Sequence, residues 1–191
     1  EGEASKLHNR VYSTAVANRV APRRIDHVHV QDPNGRDHAD WLMDTLGFGM
    51  NEILKEGDDE EWGWWLSVTP LPHDIGVHRF EDAPSRFHHI CYHVDKLQEL
   101  WDAADICREY GIAPDGGPGM HAITKADYFY VKDPASDIRL ELFAGPGYLN
   151  FEPDWDPIVW EEGDIGTAAD HQWIGTQYSS SGTPYTEGYL D

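Results

Sequence analysis

The chain is poor in three things, and each shortage removes a class of reading. Cysteine occurs only twice in 191 residues, as Cys91 and Cys107. Two cysteines make no disulfide framework, so they are read as reduced thiols of a cytoplasmic protein. Basic residues number 14 against 35 acidic ones, a formal charge of −21. Lys and Arg are what neutralise phosphate, so nucleic acid is excluded as a partner, and an anionic membrane surface with it. No apolar run approaches the roughly 18 residues of a transmembrane helix. The first 23 residues lack the apolar centre of a signal peptide.

What is present suits one domain with tails. An apolar fraction of 40% and eight Trp supply a core. Carboxylates are spread along the whole chain, with runs such as EGDDEEW and WEEGD, while Lys is scarce. That composition is expected of a halophilic protein, kept soluble in high salt by solvated carboxylates. Residues 1–23 are polar and aperiodic and begin without Met, so they are expected to be a linker or the end of a missing upstream domain. Residues 151–191, rich in Gly, Pro, Asp and Trp, are expected to form an irregular tail. WDPIVW and HQWIG should anchor it, over the mouth of the domain or on a neighbouring subunit, and its end should be mobile.

Between these tails one pattern runs twice. A strand, RIDHVHVQ, and a turn, DPNG, lead to a helix predicted over 37–46, with Asp37 as N-cap and Gly47 just past the end. Three strand-like runs follow: GMNEILKE, WGWWLSVT and DIGVHRF. The pattern restarts with FHHICYHV. A second helix is predicted over 95–110, with Asp95 and Gln98 as a capping box and Gly111 ending it. Its apolar stripe is Leu97, Leu100, Trp101, Ala104 and Cys107. A Gly/Pro loop, PDGGPGMH, then leads to strands around DYFYV and IRLELFA. The interval of 20 residues from His27 to Gly47 is similar to the 22 from His89 to Gly111. The expected fold class is therefore α+β, with two βαβββ modules, 24–82 and 86–145. Neither can cover its own sheet face, so they pair into a cup-shaped half barrel.

Three strands each carry a group out of keeping with an apolar run: His27, His89 and Glu141. Two imidazoles and one carboxylate are the ligands of a facial triad, which leaves three adjacent positions on a non-haem Fe(II) for substrate and dioxygen; Mn(II) has the same hard-ligand preference. Alternation along the strands narrows the set without closing it. His29 shares a face with His27, and Cys91 and His93 share one with His89, while His88 takes the other. Glu141 shares a face with Arg139 and Phe143. A carboxylate centred in such a strand must be paired or bound to metal. His73 at a strand start, His121 after a Gly-rich loop, and Tyr130 accompany the triad. An imidazole of near-neutral pKa beside a metal-bound hydroxyl can take a proton and return it.

The ordered motifs RIDH, PHDIG, RFHHICYHV, GPGMH, YVKDP and LELFAG resemble the catalytic half of the catechol 2,3-dioxygenases, extradiol enzymes of the vicinal-oxygen-chelate superfamily. The resemblance spans about residues 22–160. Gly119, His121, Phe129, Tyr130, Asp133, Pro134 and Glu141 match the family's closing motif. It implies a glyoxalase-like fold with 24–150 as catalytic domain and His27, His89 and Glu141 as iron ligands. By the same resemblance His73 is the acid/base, and His121 and Tyr130 hydrogen-bond the catecholate or the oxygen. The implied reaction is extradiol cleavage of a catechol by O2, in aromatic catabolism, giving a 2-hydroxymuconic-semialdehyde-type product. A homo-oligomer, in the implied form a tetramer, goes with it. Ser136 stands where the family has Gly, and one extra residue precedes Glu141, so the turn must bulge. Two rivals remain. One is a glyoxalase- or epimerase-type metalloenzyme of the same fold with a fourth protein ligand; stepping 52 residues on from His27, the interval from His89 to Glu141, reaches Arg79, which is no ligand. The other is a non-catalytic small-molecule-binding module.

Overall fold

The computed structural model describes residues 20–56, 60–81, 84–121, 124–145, 147–161 and 171–172. Most of the expected N-terminal linker and the expected mobile end of the chain lie outside the described residues. Strands β1 (Arg24–Asp32), β2 (Gly49–Glu56), β3 (Glu60–Ser67) and β4 (Ile75–Arg79) enclose helix α1 (Gly35–Leu46) in sequence. The same order follows in β5 (Arg86–Val94), α2 (Leu97–Tyr110), β6 (Pro114–Met120), β7 (Asp127–Lys132) and β8 (Arg139–Ala144). Two short strands, β9 (Ile158–Trp160) and β10 (His171–Gln172), follow among the described residues.

All ten strands form one sheet in the order β10-β6-β7-β8-β5-β1-β4-β3-β2-β9. Its centre is the antiparallel pair β1–β5, and from there each half runs outward through a parallel neighbour, β4 or β8. The fold is the α+β, vicinal-oxygen-chelate arrangement. Helix α1 lays Ala39 and Leu42 on Trp64, Leu66 and Val77. Helix α2 lays Leu100, Ala103 and Cys107 on Val94, Phe129 and Ala144. Each wholly buried Leu here would cost about 2–5 kcal/mol to truncate to Ala. Both helices thus cover one face of the sheet. The other face carries the buried alternates of β1, namely His27, His29 and Gln31. Cys91 and Cys107 are both free and buried.

The helix ends follow the Gly signals but the starts do not. Gly47 and Gly111 both close their helices in the left-handed conformation, at φ 76° and 68°. Helix α1 begins at Gly35, not Asp37, because Asn34 N–H donates to Asp32 Oδ1 at 2.8 Å and sets the turn early. A side chain could not replace Gly35: an added Cβ would stand 2.4 Å from the Trp64 ring. In α2 the capping acid is Glu99 rather than Gln98; it accepts the Lys96 N–H at 3.1 Å. Its other oxygen accepts the Ala21 N–H at 2.9 Å, which ties the segment before β1 to this helix. Ala103 takes an inner position in the stripe, and Leu97 is exposed.

Two larger expectations are overturned. PDGGPGM is a strand, β6, not a loop. Its glycines permit register shifts against β7 and a close approach in which a Cβ on Gly117 would meet the Tyr128 carbonyl at 2.8 Å. The segment after 150 is not wholly irregular either, since β9 runs parallel to β2 at the sheet edge. The bulge demanded by Ser136 is absorbed before β8 starts. Asp137 takes φ 58°, Asp133 Oδ2 accepts the Ser136 N–H, and Lys132 then pairs normally with Arg139.

Two residues of β2 hold the later segments in place. Glu52, with no exposed surface, accepts hydrogen bonds from Thr124 N–H (3.0 Å), Tyr148 O–H (2.8 Å) and Trp160 Nε1–H (2.6 Å). Burial raises its pKa, and these donors oppose the rise. Asn51 donates to the carbonyls of Leu71 and Pro72 and accepts from Asn150. Glu52→Ala strands three buried or half-buried donors, so urea unfolding should show a loss of roughly 2–4 kcal/mol, with Glu52→Gln closer to the parent. A loss below about 0.5 kcal/mol, the scale of a surface change, would contradict this role.

Candidate metal centre

The pairing of β1 with β5 slips twice, and both slips lie at the site. Ile25 faces Tyr92 and Val28 faces Ile90, so Asp26 and His27 together oppose Cys91. His29 faces His89 and Val30 faces Phe87, so His88 is the extra residue. A β-bulge re-aims neighbouring side chains. Asp26, His27, His88 and His89 are accordingly all buried, in two adjacent pairs. Alternation puts His88 on the face away from His89. The bulge instead places their Nδ1 atoms 2.6 Å apart. Strand β8 keeps strict alternation, and Glu141, opposite Cys91, points inward beside Arg139 and Phe143 as expected.

These elements bring His27, His89 and Glu141 together. His27 Nε2 and His89 Nε2 each lie 3.0 Å from Glu141 Oε2 and 3.3 Å from one another. An octahedral face built on metal–donor bonds of about 2.1 Å has edges of about 3.0 Å, so the donor spacing fits one divalent ion. Glu141 Oε1 is buried without a hydrogen-bond partner, with His121 Nε2 at 3.5 Å. A buried carboxylate oxygen left unpaired is costly, and a cation would satisfy it. Asp26, His27 and Cys91 form a second cluster of donor atoms. It fits a metal poorly, because burial holds the Cys91 thiol well above the usual range and Asp26 Oδ1 already accepts from His27 Nδ1 at 3.0 Å.

His73, in the connection between β3 and β4, puts its ring 4.0 Å from that of His27. Its Nδ1 is buried without a hydrogen-bond partner. His121 follows β6 and stacks on Tyr128 at 3.9 Å, with Nε2 3.2 Å from the Tyr130 hydroxyl. Tyr130 opposes Glu141 across β7–β8, and its ring lies 5.3 Å from His89. All six residues singled out in the sequence therefore meet in one place.

A second row of imidazoles backs the first. His29 stacks on His89 at 5.1 Å and meets His78 at 2.6 Å. Trp65 stands edge-on to His78 at 5.3 Å, so it lines this face, whereas Trp64 is core. His88 accepts from Arg139 Nη1 at 2.6 Å, and Arg139 is itself paired with Asp115. The strand register also gives a better ruler than counting to Arg79. Glu141 opposes the residue two places after His89, and the matching partner of His29 is Gly76. Glycine offers no ligand, and a Cβ there would meet His29 Nδ1 at 2.2 Å. Sequence patterning does not single out Asp26, Asn51 or Arg139 as supporting residues. The one available signal for Asp26 is a charge inside an apolar strand, next to a histidine.

Residues 24–142 match the model of the Glyoxalase/Bleomycin resistance protein/Dioxygenase superfamily, and the chain belongs to that superfamily. It is 47% identical over 167 residues to the manganese-dependent 2,3-dihydroxybiphenyl 1,2-dioxygenase of Geobacillus genomosp. 3, covering 86% of this chain and 52% of that protein. It is 34% identical over 189 residues to the metapyrocatechase of Geobacillus stearothermophilus, covering 96% and 57%. Among solved structures it resembles homoprotocatechuate 2,3-dioxygenase from Arthrobacter globiformis, with a TM-score of 0.75 at 25% identity over 91% of this chain and 50% of that one. The chain spans about half the length of the curated relatives it matches.

The electrostatics of the cluster follow from burial. Burial pulls His27 down, but hydrogen bonds and charge from Asp26 and Glu141 outweigh it and raise it to about 9. Burial lowers His78 and His89 to about 4 and holds His29, His73 and His88 well below their usual range. Burial also opposes the charge on Glu141, yet the facing His89, His121 and His27 hold it well below the usual carboxylate range. The raised His27 adds stability that is full below pH 6.5 and lost as pH rises through 9. The five lowered histidines act the other way, because below 6.5 the unfolded chain binds protons the fold refuses. The melting temperature of the metal-stripped protein should therefore fall steeply from about pH 6.5 to about 4.5, each histidine contributing at most about 1.4 kcal/mol per pH unit. A flat profile over that range would show that these imidazoles are not held neutral.

Proposed function

We propose that this chain carries the ring-opening site of an extradiol dioxygenase, which cleaves catechol or a substituted catechol with O2 beside its two hydroxyls. The product is of the 2-hydroxymuconic-semialdehyde type. The observation that carries this reading is the convergence of His27, His89 and Glu141 on one point, with His73, His121 and Tyr130 around it. His27, His89 and Glu141 are the metal ligands in this reading. Fe(II) or Mn(II) held by these three residues would supply a Lewis acid that makes a chelating catechol easier to deprotonate and would bind dioxygen. The name of the Geobacillus genomosp. 3 relative favours manganese as strongly as the family resemblance favours iron.

The remaining groups do proton work. Burial holds His73 well below the near-neutral range expected of it, which keeps the ring neutral, and its unpartnered Nδ1 takes a proton from a catechol hydroxyl and returns it to the product. His121 Nε2 and the Tyr130 hydroxyl, 3.2 Å apart, hydrogen-bond the substrate oxygens or the oxygen. The half-buried and buried rings of Tyr128, Tyr130 and His121 keep water from that side. Gly76 weighs against a glyoxalase-type site with a fourth ligand, and the buried Glu141 weighs against a metal-free binding module.

We place the catalytic domain at 24–150, in modules 24–82 and 86–145, within a cytoplasmic homo-oligomer, a tetramer by family resemblance. The acidic composition belongs, in this reading, to a high-salt environment.

His89→Ala should lose bound metal and ring cleavage together. His73→Ala should keep its metal and slow turnover by roughly 10²- to 10⁴-fold, read as the yellow ring-fission product after anaerobic Fe(II) or Mn(II) loading, then catechol and oxygen. An undiminished rate in His73→Ala would remove it from the mechanism. On the salt reading, the melting temperature should rise from low to molar salt, and a constant value would discard it.

A further inference from the structure

We propose that Asp26 is the residue that positions His27 for the metal: its carboxylate holds the Nδ1 proton, so that Nε2 is aimed at the point shared with His89 and Glu141. The inference rests on the reading of those three residues as a metal site. Asp26 has 1% of its side chain exposed, and Oδ1 lies 3.0 Å from His27 Nδ1. In a regular strand it would face the apolar side under the helices. Only the bulge opposite Cys91 turns it inward. Such burial of a carboxylate costs several kcal/mol unless partners repay it. Oδ1 has the His27 proton. Oδ2 is ion-paired with Arg24 Nη1 at 2.6 Å, and His93 Nδ1 lies 4.0 Å away. Of the three residues read as ligands, the one this carboxylate reaches is His27.

The second histidine is held otherwise. His88 lies behind His89 Nδ1, with the cation of Arg139 on its far side. One imidazole is thus backed by an anion and the other by a neutral ring. An anion behind the distal nitrogen fixes the ring's orientation and tautomer and raises its strength as a ligand. Loss of Asp26 should weaken the metal through His27 while leaving His89 as it was.

The test is Mn(II) affinity by chelator competition on the whole chain, without substrate. Asp26→Ala should bind Mn(II) about 10- to 100-fold more weakly than the parent. Asp26→Asn, which keeps an acceptor but not the charge, should fall between them. Its bound Mn(II) should show an altered electron paramagnetic resonance spectrum, which a merely structural aspartate would not cause. If Asp26→Ala does not fold, Asp26→Asn carries both readouts. Parent-like affinity and spectrum in the folded variants, with His89→Ala still losing metal, would overturn the role of Asp26 alone. A parent protein that takes up no Mn(II) or Fe(II) would overturn the metal reading and this inference with it.

Discussion

Glu141, with 1% of its surface exposed, sets the terms for everything around it. An ionised carboxylate so deep needs a cation or hydrogen-bond donors at contact distance, and two imidazoles from other strands of the sheet, one with a raised pKa and one with a lowered pKa, lie 3.0 Å away. That pairing depends on β1 lying against β5 and β5 against β8, three strands from distant parts of the chain. The helices are attached outside this frame. Their apolar faces hold the sheet together from behind, so the polar face need not stabilise itself by packing.

The central pair of strands achieves this by irregularity. Regular pleating would give each strand one inward group for every two residues, enough for the ligands but not for their supports. Each bulge adds one inward residue next to a candidate ligand, Asp26 in the first half and His88 in the second. Gly76 does the converse. By having no side chain where Glu141 stands in the other half, it makes room for His29 to stack behind His89. The two halves share an element order and yet contribute unequally, one candidate ligand against two.

Which features were legible in the sequence follows from how local their causes are. Gly47 and Gly111 marked the helix ends because a left-handed residue is a local requirement. Glu141 was legible because an acid in the middle of IRLELFA must find a cation or a hydrogen-bond donor to be buried at all. Helix α1 started early through a side-chain turn at Asp32, and PDGGPGM hid a strand, since Gly and Pro argue for a loop unless a partner strand accepts bulges. Strand β9 has three residues and exists through pairing with β2, a distant part of the chain. The inward turn of Asp26 and His88 was illegible for one reason: alternation assumes an unbroken pleat, and nothing local in RIDHVHV or RFHHICYHV announces the break.

The division of labour between strands and loops then has a physical basis. Ligand candidates sit on strands, whose positions are fixed by ladders on both sides. His73 and His121 sit at strand margins, where a group that moves protons needs access to a substrate. Such margins would be loose without the tie from β2. Asn51 binds the carbonyls of Leu71 and Pro72 just before His73, and Glu52 binds Thr124 just after His121. Gly147 fits between Pro72 and Thr124, where a Cβ would meet the Thr124 carbonyl at 2.5 Å, so the segment after β8 closes against both margins. One outer strand thereby sets the positions of an acid/base candidate, a hydrogen-bonding candidate and the segment that covers them. A change in β2, far from any metal donor, would reach the chemistry through those backbone carbonyls and amides rather than through the ligands.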